Sequence, residues 1–270
     1  MITLKNKFYY IFTYLALFVV ALVITFYGSR YFNSTDQIYV DIPKDLTSFE
    51  KAEFYFSAAN YDLVKARSFY EAAIRENPRG NSLQWYQLAR INFIQGEFDT
   101  SLHNLGMQVW YFGDTIHNVH YMYGLVYGFR ADMLNREKDF DLAAEHFLRF
   151  LEYDKYNPWA RIDLAWIYFS QRNFEQMVNA LVPVYEQEQD NPWLLNMYGL
   201  ALLNTGESKR AVDYLTKAAE LSLDLVPADW AAVYPGNDPK DYQAGLDEFI
   251  VALNLNLAVA QGRVEKDGNN

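Results

Sequence analysis

Four histidines, His103, His117, His120 and His146, are the side chains best suited to proton transfer or metal ligation. His117 and His120 are three apart, so a helix would carry both imidazoles on one face. Zinc takes three or four protein ligands. No third ligand of suitable spacing accompanies the pair, so a polar contact is the preferred reading and no metal is expected. Ser48-x-x-Lys51 has the spacing of the first motif of serine acyl-enzymes, but the companion S-D-N and K-T-G motifs are missing. Thr47-x-x-Glu50, in the same stretch, is a capping box that opens a helix and explains the local composition. G-x-S-x-G, G-x-G-x-x-G, P-loop and H-E-x-x-H motifs are absent. The acid run Glu186–Asp190 lacks the glycine and fixed ligand spacing of a calcium loop. The chain has no cysteine, which excludes disulfides, thiol catalysis and Cys-ligated metals. No catalytic residue and no cofactor is assigned, and the chain reads as a non-enzyme.

The elements that would position any site repeat. Asp62-x3-Ala66, Glu97-Phe98-x2-Ser101, Asp139-Phe140-x2-Ala143, Asn173-Phe174-x2-Met177 and Glu207-Ser208-x2-Ala211 each open a helix with a small or slim fourth or fifth residue. Those residues fall at 66, 101, 143, 177 and 211, in steps of 35, 42, 34 and 34. Asn157-Pro158 and Asn191-Pro192 repeat the 34-residue step independently, with Asn as N-cap and Pro in the first helical position. The preceding helices carry Trp85-x2-Leu88-Ala89, Tyr127-x3-Ala131, Leu164-Ala165-x2-Tyr168 and Tyr198-Gly199-x2-Leu202. Gly96 and Gly206 fall between the paired helices, where a left-handed residue ends the first. The 42-residue step implies about eight extra residues near 112–120.

These residues resemble the tetratricopeptide repeat (TPR) family over about residues 48–224, a match to the 34-residue helix–turn–helix period. The first unit is the weakest, with Glu53, Phe54 and Ser57 where Leu, Gly and Tyr would stand. The resemblance implies an all-α, TPR-like solenoid of helical hairpins, about five repeats with a C-terminal capping helix. It also implies a groove lined by the first helix of each hairpin. The positions that match are Tyr86, Gln87, Arg90 and Phe93; Phe129, Asp132 and Asn135; Ile162, Asp163, Trp166 and Phe169; and Asn196, Met197, Leu200 and Leu203. Trp159 and Trp193, after the Asn-Pro caps, are expected at the rim. Rings with interspersed Asp and Asn suit a peptide or helix of another protein. Arg90 is the one basic side chain among these positions, so the carboxylate-clamping subtype of the family is not expected.

Residues 8–27 are free of charge and would span roughly 30 Å as a helix, the thickness of a bilayer core. Lys5 and Lys7 precede them, which predicts a cytoplasmic N-terminus (1–7), an uncleaved anchor (8–27) and a body outside, periplasmic or extracellular. Residues 28–46 read as a stalk, 47–224 as the repeat array, 225–262 as connector and capping helix, and 263–270 as a disordered tail. Net charge is −11, yet residues 1–30 hold three basic side chains and no acid. The acidic remainder repels nucleic acid, which is not expected as a partner. The expected function is a membrane-tethered, non-catalytic scaffold or adaptor for another envelope protein, with self-association open. The alternative is an accessory subunit of a membrane enzyme complex, or a chaperone-like factor for translocated chains.

Overall fold

The computed structural model describes residues 45–114, 118–233 and 238–268. The expected anchor at 8–27, most of the stalk, and His117 lie outside the described residues. Among the described residues the regular structure is entirely helical, and no helix is long and apolar enough to cross a membrane. Two compact bodies result: residues 45–189, and residues 190–233 with 240–268.

The first body holds four helical hairpins: α1 (Ser48–Phe56) with α2 (Leu63–Glu76), α3 (Gln84–Ile94) with α4 (Phe98–Phe112), α5 (Asn118–Leu134) with α6 (Lys138–Tyr153), and α7 (Pro158–Ser170) with α8 (Phe174–Tyr185). Thr47 and Glu50 form the expected reciprocal cap on α1. The second body holds a fifth hairpin, α9 (Pro192–Asn204) with α10 (Ser208–Ser222), then α11 (Pro227–Val233) and α12 (Tyr242–Gly268). Asn157 and Asn191 accept the backbone N–H groups of Ala160 and Leu194, so both Asn-Pro pairs start helices as expected. Pro183 sits inside the last turn of α8, which stops two residues later.

Each hairpin closes on its slim residue. Ala66, Ser101, Ala143, Met177 and Ala211 have no exposed surface. Ser101 adds a hydroxyl that donates to the Ala89 carbonyl across the hairpin at 2.8 Å, so the one polar member of the set is satisfied. Glu53, in place of an apolar residue, accepts hydrogen bonds from the Tyr70 hydroxyl and from Gln87 Nε2. The weakest hairpin by sequence is thus tied to its neighbour by a carboxylate as well as by an apolar seam, in which Ala52, Ala66 and Tyr70 cluster with Leu88 and Ile91 of α3.

The turns explain the long step. The left-handed residues between paired helices are Gly96 (φ 74°), Asn135 (52°), Arg172 (59°) and Gly206 (91°). Ser101, Met177 and Ala211 follow theirs by five positions, whereas Ala143 follows Asn135 by eight. Three of the extra residues therefore lengthen this turn. The others lie between Ser101 and Asn135, where α5 runs 17 residues against 11 for α3 and 13 for α7 and α9. The register of α5 moves with the turn. Ala89, Ala165 and Gly199 precede their left-handed residues by seven, and the matching residue of α5 is Gly128, not Ala131.

Glycine is required on α5. A Cβ on Gly124 would lie 2.8 Å from the Phe147 ring of α6. One on Gly128 would lie 2.7 Å from Ile167 and 2.9 Å from Trp166 of α7. Two glycines four apart let α5 approach both neighbours.

In the second body α12 follows α10 in the place of a sixth first helix. Phe249 stacks on Trp193 at 5.1 Å, Asn256 Nδ2 donates to Asn196 Oδ1 at 3.0 Å, and the Arg263 guanidinium donates to the Leu203 carbonyl at 2.7 Å. That last bond satisfies a carbonyl at the C-terminal end of α9, and it carries the helix past the expected boundary. Residues 263–268, expected as a disordered tail, are helical.

Candidate functional site

The first helices α3, α5 and α7 of the first body carry a run of half-buried rings on one face. Phe93 meets Phe129 edge-on, with centroids 5.2 Å apart, and Phe129 meets Trp166 at 5.4 Å. Each ring comes from a different helix, so the ladder is built across the repeat rather than along one helix. With Gly128 as reference, Phe129 and Trp166 occupy the same place, one residue after the small one, whereas Phe93 stands four after Ala89. Phe169 continues the face and packs on Phe174 at 6.1 Å. Trp159 is half-buried at the start of α7.

Polar groups flank the ladder. Tyr86 and Arg90 lie on α3, where burial pushes the Tyr86 phenol upward against the opposing charge of Arg90. Arg90 donates to Gln87 Oε1 at 2.7 Å and stacks on the Phe56 ring at 4.9 Å. Asp132 is half-buried on α5, and burial raises its pKa. Asp163 accepts the Tyr121 hydroxyl at 2.5 Å. Its carboxyl is raised to about 7: burial disfavours the anion more strongly than the tyrosine bond favours it.

Not every expected position joins this face. Asn135 is exposed and supplies the left-handed turn after α5, because the register there is offset by three. In the second body Trp193, Asn196, Leu200 and Leu203 are buried, and only Met197 stays half-buried. Those positions form the seam with α12, so they do not line an open face. Phe56 and Tyr121 carry no signal in the sequence, and Glu53 stands out there only as a departure from the repeat pattern. Tyr121 lies 42 residues before Asp163, the length of the irregular step, so the regular period gives no pointer to it.

The histidines form a separate cluster between α5 and α6. His120 and His146 approach through their Nδ1 atoms at 2.9 Å, and His120 Nε2 meets Asp114 at 2.9 Å. The Tyr123 ring stacks on His146 at 4.6 Å. Among the described residues no group of three or more His, Cys, Asp or Glu side chains is placed to hold a metal ion.

The tetratricopeptide repeat family model matches residues 194–224, the fifth hairpin. No curated protein matches the sequence. Solved structures do match in fold. The MamA protein is 17% identical, with a TM-score of 0.53 over 70% of this chain and 93% of that one. PilW, described as a widely conserved type IV pilus biogenesis factor, is 17% identical, with a TM-score of 0.53 over 74% and 90%. YrrB, described as a TPR protein with an unusual peptide-binding site, is 16% identical, with a TM-score of 0.51 over 66% and 86%. The fifth hairpin matches the tetratricopeptide repeat model, and the described hairpins share the fold of solved structures that include a TPR protein.

Proposed function

We propose that this chain is a membrane-tethered, non-catalytic scaffold that binds a peptide or helix of another envelope protein on the α3–α5–α7 face. The observation that carries the reading is the Phe93–Phe129–Trp166 ladder, half-buried on three successive first helices. Large rings that pack on one another yet keep surface open suit the apolar anchors of a partner. The fold shared with YrrB, whose description names a peptide-binding site, supports the same reading. The charge-free stretch at 8–27 supports the tether, and the basic residues before it support a body outside the cytoplasm. A tether of that kind raises the effective concentration of the face toward neighbouring membrane proteins.

The test is site-specific photo-crosslinking in cells from positions beside Trp166, with Trp166→Ala and Phe169→Ala combined in a protein whose helical content is unchanged. The adducts of the parent protein should fall by about tenfold, the scale expected when anchor side chains worth more than 1 kcal/mol are truncated. An unchanged adduct pattern would place the binding site elsewhere. External protease reaching the body only after membrane rupture from the cytoplasmic side would overturn the tether's orientation.

A further inference from the structure

We infer that the segment bound on the α3–α5–α7 face presents a lysine or arginine beside an apolar anchor, received by Asp132 and Asp163 next to the aromatic ladder. This rests on the groove reading above and names the chemistry of its partner. Two ring–acid pairs have the same three-residue spacing, in opposite order along the helix. Asp132 follows Phe129 by three residues on α5, and Asp163 precedes Trp166 by three on α7. Residues three apart share a helix face, so each carboxylate stands beside a ring of the ladder.

Neither carboxylate has a resident cation. Asp132 enters no hydrogen bond or ion pair among the described residues, and Asp163 is held by the neutral Tyr121 hydroxyl. The three helices of the face carry three arginines, and each is committed elsewhere. Arg90 is held by Gln87 and Phe56. Arg130 is bound by Asp139 at 2.7 Å and by Asp99. Arg161 donates to the carbonyls of Lys155 at 2.8 Å and Ala180 at 3.2 Å.

A carboxylate that loses water without gaining a counter-charge is a standing cost to the free protein. A ligand ammonium or guanidinium would offset that cost and would also sit over the Trp166 or Phe129 ring, where cation–π attraction adds to the pairing. The acidic balance of the body draws the same charge from a distance. An anionic partner meets the reverse: two acids without a counter-charge of their own and no uncommitted arginine on these helices.

The experiment is selection of a random twelve-residue peptide library on the full chain, read by sequencing, against three variants: Asp132→Asn with Asp163→Asn, Phe129→Ala, and Trp166→Ala. Asparagine keeps the shape of aspartate and can still accept the Tyr121 hydroxyl. Circular dichroism and thermal melting establish that each variant is folded. The parent should enrich peptides with Lys or Arg within four residues of an aromatic or aliphatic side chain. The double Asn variant should bind the selected peptides about tenfold or more weakly, as expected for loss of hydrogen bonds to a charged group, and should lose the basic preference. Two results overturn the cationic inference while leaving the groove reading intact. One is a selection free of basic bias that Trp166→Ala abolishes; the other is a basic bias that survives in the Asn variant. A parent that selects nothing, or a selection indifferent to both Phe129→Ala and Trp166→Ala, overturns the groove reading and this inference with it.

Discussion

The tripeptide Asn-Pro-Trp occurs twice, at 157–159 and at 191–193, and starts α7 in one body and α9 in the other. The caps are alike: Asn accepts an N–H three residues on, and Pro fills the first helical position. The tryptophans differ. Trp159 is half-buried, whereas Trp193 is 8% exposed and stacked on Phe249 of α12. The same contrast holds two helical turns along: Trp166 is half-buried, while Leu200 in the matching place is 6% exposed. Local sequence therefore makes the helix and its cap, and the element packed next decides whether a position is surface or seam.

The contrast can be broken most severely at the tryptophans. Trp193→Ala should destabilise the second body by about 3–5 kcal/mol, the usual cost of emptying a large buried aromatic site. Trp159→Ala should cost well under half of that, because much of its ring surface stays in water in the folded state. Chemical denaturation of the two variants, followed by hydrogen exchange to assign the loss to each body, checks the ordering. Equal losses would mean that both tryptophans are seam residues and that the open face ends before α7.

The second prediction concerns how the first helices fit. Gly199 on α9 and Gly124 on α5 both meet a buried side chain of the partner helix, Leu215 and Phe147 respectively. Gly124→Ala should cost about 1–3 kcal/mol by overpacking against a ring that has nowhere to go. Ala131→Gly, at the position that the period of the sequence picks out, should cost only about 1 kcal/mol, the helix-propensity difference, plus the loss of one buried methyl. A larger cost at Ala131 than at Gly124 would restore the period-based register of α5.

The same register shows how far the sequence could be read. Hairpin number, cap residues, slim positions and a closing helix were all legible, because each depends on a few local residues at a fixed spacing. Placement on the half-buried face was legible where hairpins follow one another at 34 residues, as at Asp163 and Trp166. It failed at Asn135, because three residues inserted in a turn shift the phase of the helix before it without changing the residue types. It failed at Asn196 and Trp193 for a different reason: their partners Asn256 and Phe249 lie 60 and 56 residues away in sequence and share no period with the repeat. The Tyr121–Asp163 bond spans the irregular step and had no local signal at all.

The smallest effect expected is a difference in acid response between the bodies. All four histidines fall between 103 and 146, so residues 190–268 contain none. Burial, helped by the neighbouring His120, lowers the pKa of His146 to about 4 from its ordinary 6.5, with Glu145 and Asp114 pulling upward and Arg149 downward. Between pH 6.5 and 4 the unfolded chain therefore holds the proton that the folded one refuses. Stability from this group is full above 6.5 and is lost as pH falls toward 4. Asp163 acts in the opposite sense: its raised pKa favours the folded state at low pH and stops doing so as pH rises through about 7. The two partly cancel in the parent protein, so a plain pH–stability curve cannot separate them. His146→Gln removes the acid-labile contribution and leaves Asp163, so the first body of this variant should lose less stability than the parent between pH 7 and 5. Hydrogen exchange of α5 and α6 at the two pH values measures that difference directly, with α9 and α10 as the histidine-free reference. A parent and variant that soften equally in α5 and α6 on acidification would show that the His120–His146 contact carries no pH dependence, and that the acid response of the first body arises from its carboxylates.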